Sequence, residues 1–512
     1  MADKIESQKS KVESQKTPEE APKQELSELL QHRREKMEFF RSKGMEPFAY
    51  SFDKNADSDG LLKKYEGLGH GEESESEYRI AGRIMLKRGH GKAAFAHIQD
   101  GKGRIQIYVK LDNVGQDKFG IFEKVDIGDF IGVTGKIFKT KTGETTVKVT
   151  DLEFLTKSLY PLPEKWHGLQ DIEMRYRERY VDLIVNPTVK KVFEVRSRII
   201  SHIRKLLEDK GFLEVETPIL QVLQGGAAAK PFRTHHNALN MPLFLRIAPE
   251  LYLKRLIVGG FEKVFELGRV FRNEGISFKH NPEYTMIEIY QAYADYNDVM
   301  RLTEEIVSDA IRTVYGTMKV TFKGHDLDFT PPWKRLSLTE ALKHFAGINI
   351  EVPLEDLRKL AADRGVDDVQ KLGEGKLINE LYDRFVEPHL IQPTFITDYP
   401  LETSPLAKKK RDNPKLVERF ELIVASMEIA NAFSELNDPI DQRQRFEKQM
   451  ELKNAGDEET ESLDEDYVRA LEYGMPPTGG LGIGIDRLIM LLTDSHSIRD
   501  VLLFPHMKPT EK

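Results

Sequence analysis

Between residues 75 and 157 the chain breaks into five short β-rich runs, and few folds accept that pattern. The runs are Tyr78–Leu86, Phe95–Gln99, Arg104–Val109, Phe130–Phe138 and Thr145–Leu155, parted by turns at Gly91, Gly101-Lys102-Gly103 and Lys141-Thr142-Gly143. With a helical stretch between the third and fourth, they predict a small OB-type barrel. From Arg83 to Lys110 there are seven Lys or Arg against one Asp, on a chain whose net charge is −8. An aromatic side chain exposed among such charges is how these barrels stack single-stranded bases. A merely solvated face is the alternative reading.

At 512 residues the chain is too long for one core, so further domains are expected. Residues 1–24 hold five Lys, five Asp or Glu and no aromatic, which predicts a disordered arm. Leu26, Leu29, Leu30, Met37 and Phe40 keep helical spacing up to Gly44, so a helix from Glu25 opens a first domain at 25–157. Residues 158–185, with Pro161 and Pro163, form a connector to a second domain at 186–512. There Val189–Lys210 reads as a long helix, followed by a turn at Gly211, a strand and Pro218. Residues 336–390 read as a helical insertion, and the acidic run 457–466 as a solvated loop or helix end. The fold class is α+β. No run of 18 apolar residues is present and the N-terminus alternates charges, so neither a membrane span nor a secretory signal is expected and the location is read as cytoplasmic. With no cysteine, disulfides and thiolate-bound zinc are excluded, which leaves oxygen-ligated cations such as magnesium.

Three segments carry chemistry: Phe271-Arg272-Asn273-Glu274, Lys279-His280-Asn281-Pro282-Glu283-Tyr284-Thr285, and Gly482-Ile483-Gly484-Ile485-Asp486-Arg487. A nucleoside triphosphate needs a fixed cation on its α-phosphate, a flat group on each face of its base, and metal ions on its remaining charge. The planar fork of Arg272 matches phosphate oxygens. Tyr284 and Arg487 suit the two faces of an adenine. In this order the segments resemble motifs 2 and 3 of the class II aminoacyl-tRNA synthetases, and the helix and strand ending at Pro218 resemble motif 1. Gly225-Gly226, Thr234 to Leu239, Ala248 to Tyr252 and Asn431 to Asp438 are similar to the lysine-specific, bacterial-type branch. No Gly-x-Gly-x-x-Gly opens a βαβ unit, so nothing points to a Rossmann fold.

The resemblance implies an N-terminal OB-fold anticodon-binding domain, then a catalytic domain built on an antiparallel sheet flanked by helices. It implies ATP-dependent activation of L-lysine to lysyl-adenylate and transfer to the 3′ end of tRNA(Lys). It further implies Mg2+ as cofactor and a homodimer, with neither DNA nor membrane as a partner. Arg272 and Arg487 would be catalytic, and Glu274, Lys279, His280, Asn281 and Tyr284 would join them on ATP. Gly226 and Glu250 would hold the α-amino group of lysine, and Glu435 with Tyr290 its ε-ammonium, with Glu288 and Asn431 in the same pocket. Glu421 and Glu428 would bind the metal. On the barrel, Phe95 would stack an anticodon base beside Arg83, Gln106 and Glu144.

Residue chemistry agrees with lysine, since an ammonium substrate calls for buried carboxylates and an acidic one for a buried cation. A single glutamate is ordinarily a surface charge, but Glu435 stands between Phe433 and Leu436. A hairpin over Phe420–Val424 and Met427–Ala430 would set Glu421 opposite Glu428. Its turn, Val424-Ala425-Ser426-Met427, lacks the usual Gly or Asn, and strict alternation does not put Glu428 on the face of Asn431 and Glu435, so a bulge or bend must intervene. His235 and His236 are adjacent, point apart and have no third ligand, so structural or hydrogen-bonding roles are expected rather than a metal site. Two other functions share these features: a lysine ligase acting on a protein acceptor, and an inactive RNA-binding relative. The barrel argues against the first, and the intact Arg272, Glu421, Glu428 and Arg487 against the second.

Overall fold

The computed structural model describes residues 20–163, 169, 171–454 and 462–509. Most of the arm expected at 1–24 and part of the acidic run at 457–466 lie outside the described residues. The chain divides into two compact parts between Gly168 and Leu169.

In the first part, helix α1 (Glu20–Ser42) begins earlier than the expected Glu25 and stops before Gly44, which takes φ +70°. Then come α2 (Ser58–Lys64), β1 (Glu73–His90), β2 (Ala93–Gln99), β3 (Arg104–Lys110), α3 (Leu111–Lys124), β4 (Phe130–Lys139) and β5 (Thr145–Thr156). The five strands close into a barrel in the order β1-β2-β3-β5-β4. All five expected strands are present, with the helix between the third and fourth. β1 outruns its predicted span because its polar ends pair across the ladder, Glu73 with Phe138 and His90 with Ala93. Ile80, Ile84, Ile98, Ile107, Val133 and Val147 fill the interior.

The second part opens with helices Ile172–Arg177 and Arg179–Val185, within the stretch read as a connector. They are anchored in this part: Tyr176 donates to Asp500 Oδ1 at 2.8 Å. Helix α4 (Pro187–Asp209) follows, with Pro187 in its first turn and Val195, Ile199, Ile203 and Leu207 as its buried stripe. The remaining elements used below are β6 (Leu213–Glu214), α5 (Glu250–Val258), β7 (Lys263–Phe271), β8 (Glu283–Ala292), α6 (Tyr296–Tyr315), β9 (Lys334–Ser337), α7 (Leu354–Asp363), α8 (Glu374–Phe385), β10 (Thr394–Thr397), β11 (Arg419–Val424), β12 (Met427–Ser434), β13 (Thr478–Gly484) and α9 (Ile485–Leu492).

Eight strands form one sheet in the order β9-β10-β11-β12-β13-β8-β7-β6. The expected antiparallel sheet carries a parallel strand at each edge, β9 beside β10 and β6 beside β7. The two-residue period of a strand sorts its side chains. Ile287, Ile289, Phe420, Leu422, Ala430, Ala432, Leu481 and Ile483 enter a core shared with α4, α6 and α9. The residues between them, Glu288, Tyr290, Glu421, Asn431 and Gly482, face the other way and build the site. The insertion holds α7 and α8 over a second core, in which Leu357, Leu377 and Leu381 meet Ile396 of β10 and Ile423 of β11.

The strand after α4 differs from expectation. It is only two residues long and pairs with Val264 and Phe265 of β7. Phe212 is 4% exposed in the core, whereas Leu213 is 48% exposed. Alternation allows only one of two neighbours to face out.

Candidate active site

The inward-facing polar residues of β8, β11, β12 and β13 meet around a cavity of about 550 Å³. Every residue expected to meet ATP, lysine or metal lines it: Gly226, Glu250, Arg272, Glu274, Lys279, His280, Asn281, Tyr284, Glu288, Tyr290, Glu421, Glu428, Asn431, Glu435 and Arg487.

One group of these is cationic. β7 ends at Phe271, and the loop to β8 is pinned where Arg272 N–H donates to the Pro282 carbonyl at 2.8 Å. The guanidinium of Arg272 lies 5.4 Å from the Tyr284 ring centre. Its Nε and the Oδ1 of Asn281 are buried without a hydrogen-bond partner, a costly state that a polar ligand would relieve. Arg487, in the first turn of α9, donates from Nη1 to the backbone oxygen of Glu428 at 2.8 Å and to its Oε2 at 3.1 Å. Burial, followed by the charges of Arg487, Lys279 and Arg272, pushes the His280 imidazole down to about 4, so it is neutral at neutral pH. Its Nδ1 shares a hydrogen bond with Ser277 Oγ at 2.9 Å. Lys279 reaches Glu387 in the insertion at 3.2 Å.

The hairpin β11–β12 corrects one expectation. Glu421 and Glu428 are not cross-strand partners: Glu421 pairs with Asn431, and Glu428 with Ile423. The anticipated bulge is the cause. Leu422 pairs with Ala430 and Ile423 with Glu428, which leaves Ile429 extra, and Ile429 and Ala430 both enter the core. The odd step puts Glu428 on the face of Asn431. The turn is made by Ala425 at φ +49° and Ser426 at φ +60°. Their N–H groups donate to Ile391 and Leu390 at 2.9 and 3.0 Å, so a neighbouring loop holds the unfavoured backbone.

Arg419 was not anticipated. It donates to Asn431 Oδ1 at 3.0 Å and to Glu421 Oε1 at 2.5 Å, while Tyr399 donates to Glu421 Oε2 at 2.9 Å. Burial nevertheless raises Glu421 to about 7, against the pull of Arg419 and helped by Glu428. Burial pushes Glu428 upward too, but Arg487, Arg272 and Arg419 outweigh it and hold that carboxyl below its usual range. Two carboxylates here present hard oxygen donors, a set that fits a magnesium ion completed by phosphate oxygens and water. No cluster of three such ligands exists among the described residues.

A second group is anionic. Glu250, Glu288 and Glu435 are all buried. Burial and the neighbouring Glu250 push Glu288 up to about 8, and Tyr290 donates to its Oε2 at 3.1 Å. Glu435 Oε1 is buried without a hydrogen-bond partner. It lies against Gly480, where a Cβ would collide with it. Gly226 takes φ +88°, and a side chain there would press on Ala248 and Glu250. Behind the wall Lys254 bonds Glu250 Oε1 at 2.6 Å and pairs with Glu435. Neither Arg419 nor Lys254 was singled out in the sequence. The signals were there: Arg-Phe-Glu at 419–421 puts two charges on one strand face, and Glu250 and Lys254 have the i, i+4 spacing of a helical ion pair.

Motif 1 reaches the site by an ion pair. Arg196 on α4 pairs with Asp486 and donates to Thr285 Oγ1 at 2.9 Å, while Thr285 N–H donates to Asp486 Oδ2 at 2.8 Å. One helix thus braces β8 and the start of α9, next to Arg487. His235 and His236 are exposed and bond locally, to Asn240 Oδ1 and Leu239 N–H, both at 3.2 Å.

On the barrel, Phe95 packs on Tyr108 with ring centres 4.7 Å apart, and Tyr108 lies 6.0 Å from Phe138. Arg88 is the cross-strand partner of Phe95. Gln106 pairs with His97 and is itself buried, and His97 bonds Glu144 at 2.7 Å. Arg83 is engaged elsewhere: it donates to the Gly128 carbonyl at 2.9 Å and lies 4.3 Å from the Phe130 ring centre.

Comparison with known proteins identifies the family of both parts. The family described as tRNA synthetases class II (D, K and N) matches residues 171–508, and the OB-fold nucleic acid binding domain matches residues 78–155. A lysine–tRNA ligase of Pelotomaculum thermopropionicum is 57% identical over 495 residues, 95% of this chain and 96% of that protein. Lysine–tRNA ligases of Carboxydothermus hydrogenoformans and Bacillus subtilis are 55% and 54% identical, over 95% and 96% of this chain and 99% of each relative. With both compact parts matched, and the site residues gathered in one cavity, the chain belongs to the class II aminoacyl-tRNA synthetases, in the lysine–tRNA ligase family.

Proposed function

We propose that the chain activates L-lysine with ATP and transfers it to the 3′ end of its tRNA. The observation that carries this reading is the two-sided charge of the cavity: buried glutamates in one group, and Arg272, Arg487 and a neutral His280 in the other. A diammonium amino acid suits the first, and a triphosphate suits the second. Bound so, the lysine carboxylate attacks the α-phosphorus in line, and the bond to the bridging oxygen breaks to release pyrophosphate. The tRNA hydroxyl then takes the acyl group and AMP leaves.

Arg272 holds the α-phosphate and the lysine carboxylate, and Tyr284 and Arg487 sandwich the adenine. Lys279, His280 and Asn281 meet the outer phosphates, with Glu274 alongside. Glu250 and the backbone at Gly226 take the α-ammonium. Glu435 and Tyr290 take the ε-ammonium, with Glu288 and Asn431 completing the wall. Glu421 and Glu428 hold magnesium, which when bound neutralises charge on the leaving pyrophosphate. No side chain is placed as a general base. Positioning and electrostatics carry the rate.

The barrel reads the anticodon with Phe95, Gln106 and Glu144. The active particle is a homodimer, working in the cytoplasm where ATP and tRNA are found. The test is aminoacylation of purified tRNA(Lys) with each of the twenty amino acids, alongside ATP–pyrophosphate exchange. Charging and exchange with lysine alone support the reading. Exchange with another amino acid, or none, overturns it.

A further inference from the structure

The wall formed by Glu250 and Glu435 has a cation behind it. Lys254 lies one turn after Glu250 on α5 and is 0% exposed. Both carboxylates line the cavity, and Lys254 stands outside the lining. Its ammonium also lies 5.4 Å from the Phe433 ring centre and 6.0 Å from that of Tyr467, so aromatic faces shield it. We propose that Lys254 is a positioning residue for substrate selection: it ties Glu250 to Glu435 from behind, fixes their separation, and leaves Glu435 Oε1 as the acceptor for a substrate ammonium. This rests on the reading of Glu250 and Glu435 as the partners of lysine.

Three observations support it. Both carboxylate oxygens of Glu435 are buried without a hydrogen-bond donor; Oε2 faces Lys254 in the ion pair, whereas Oε1 lies against Gly480, where a Cβ would collide with it. Secondly, the same wall holds three buried carboxylates, Glu250, Glu288 and Glu435, against one ammonium. Glu288, pushed up to about 8, is protonated at neutral pH, so Lys254 answers one of the two carboxylates that it ties and a substrate ammonium would answer the other; a buried charge left without a partner is strongly unfavourable. Thirdly, among the described residues no other cation bonds Glu250 or Glu435. Arg419 acts on Glu250 from β11 only through its field. Glu288 and Tyr290 face the pair from β8, and Tyr467 faces Lys254. Arg246, paired with Glu266, acts on Glu288. Burial alone would discharge Lys254, but Glu250 and Glu435 outweigh it and hold it protonated.

The test uses the full chain and lysine-dependent ATP–pyrophosphate exchange, read from about pH 6.5 to about pH 9. Lys254→Met removes the charge at similar volume. Its lysine KM should rise about tenfold or more near pH 7, equivalent to ~1.4 kcal/mol, with the ATP KM little changed. The deficit should narrow as pH rises, because carboxyls that took up protons ionise again. Lys254→Arg keeps the charge but alters the spacing, so it should raise the lysine KM equally at every pH. A Lys254→Met enzyme whose lysine and ATP KM values shift together, or whose deficit ignores pH, would show a merely structural ion pair and overturn the proposal. If Lys254→Met does not fold, a wild-type lysine KM in Lys254→Arg overturns it instead. Glu435→Gln separates the two failures: if it too leaves the lysine KM untouched, the assignment of the pocket is wrong, and not only the part given to Lys254.

Discussion

Arg272 shows how a single side chain can be read from its neighbours in sequence and then understood from its surroundings. The Arg-x-Glu pattern picks it out, and the structure leaves its Nε buried without a partner. Arg272→Ala should remove about 3–4 kcal/mol of transition-state stabilisation, a hundredfold or greater fall in lysine-dependent pyrophosphate exchange. His280 gives a pH-dependent outcome. Its folded pKa of about 4 lies below the ~6.5 of a free imidazole, so on acidification the unfolded chain takes up the proton first. The stability held by the neutral ring is complete above about pH 6.5 and is lost as pH falls toward 4. In urea denaturation at stepped pH, His280→Gln should flatten that loss by about 1–2 kcal/mol. The residues proposed to bear on substrate were legible because their types stand in a known order. Lys254 and Arg419 were not, because each is paired with another side chain and no motif marks a partner in space.

Among the elements, strands were easier to find than their pairing. Alternating apolar residues and glycine turns located all five barrel strands. The hairpin β11–β12 was also found, yet its register was not, since a bulge at Ile429 depends on what the core can hold. Its turn is testable. Ala425 sits at φ +49°, where a side chain costs about 1 kcal/mol and glycine is at ease. Ala425→Gly should raise stability by about 0.5 kcal/mol and Ala425→Val lower it by about 1–2, read from urea midpoints. On the barrel, Phe95→Ala should weaken charging of tRNA by about 1–3 kcal/mol while leaving pyrophosphate exchange unchanged. Altered exchange would count against a separate anticodon-reading domain. The place of Arg83 could not be foreseen, because the Gly128 carbonyl that holds it is remote in sequence.

For the whole molecule, light scattering at micromolar concentration should find twice the 58.8 kDa chain mass. Pro218→Gly, at a residue outside the cavity lining, should lower activity by loosening the end of motif 1. A fully active monomer would remove the reason for that motif. The two margins of the eight-stranded sheet explain why growth should stop there. At one margin, β9 follows Pro331-Pro332 and presents exposed Lys334 and Arg335, side chains that repel another strand. At the other margin, β6 offers two residues and an exposed Leu213. In the proposed homodimer the short margin at β6 would meet its own likeness about a two-fold axis. In that pairing both copies use the same margin, and the eight-stranded sheet is left with only its charged margin at β9.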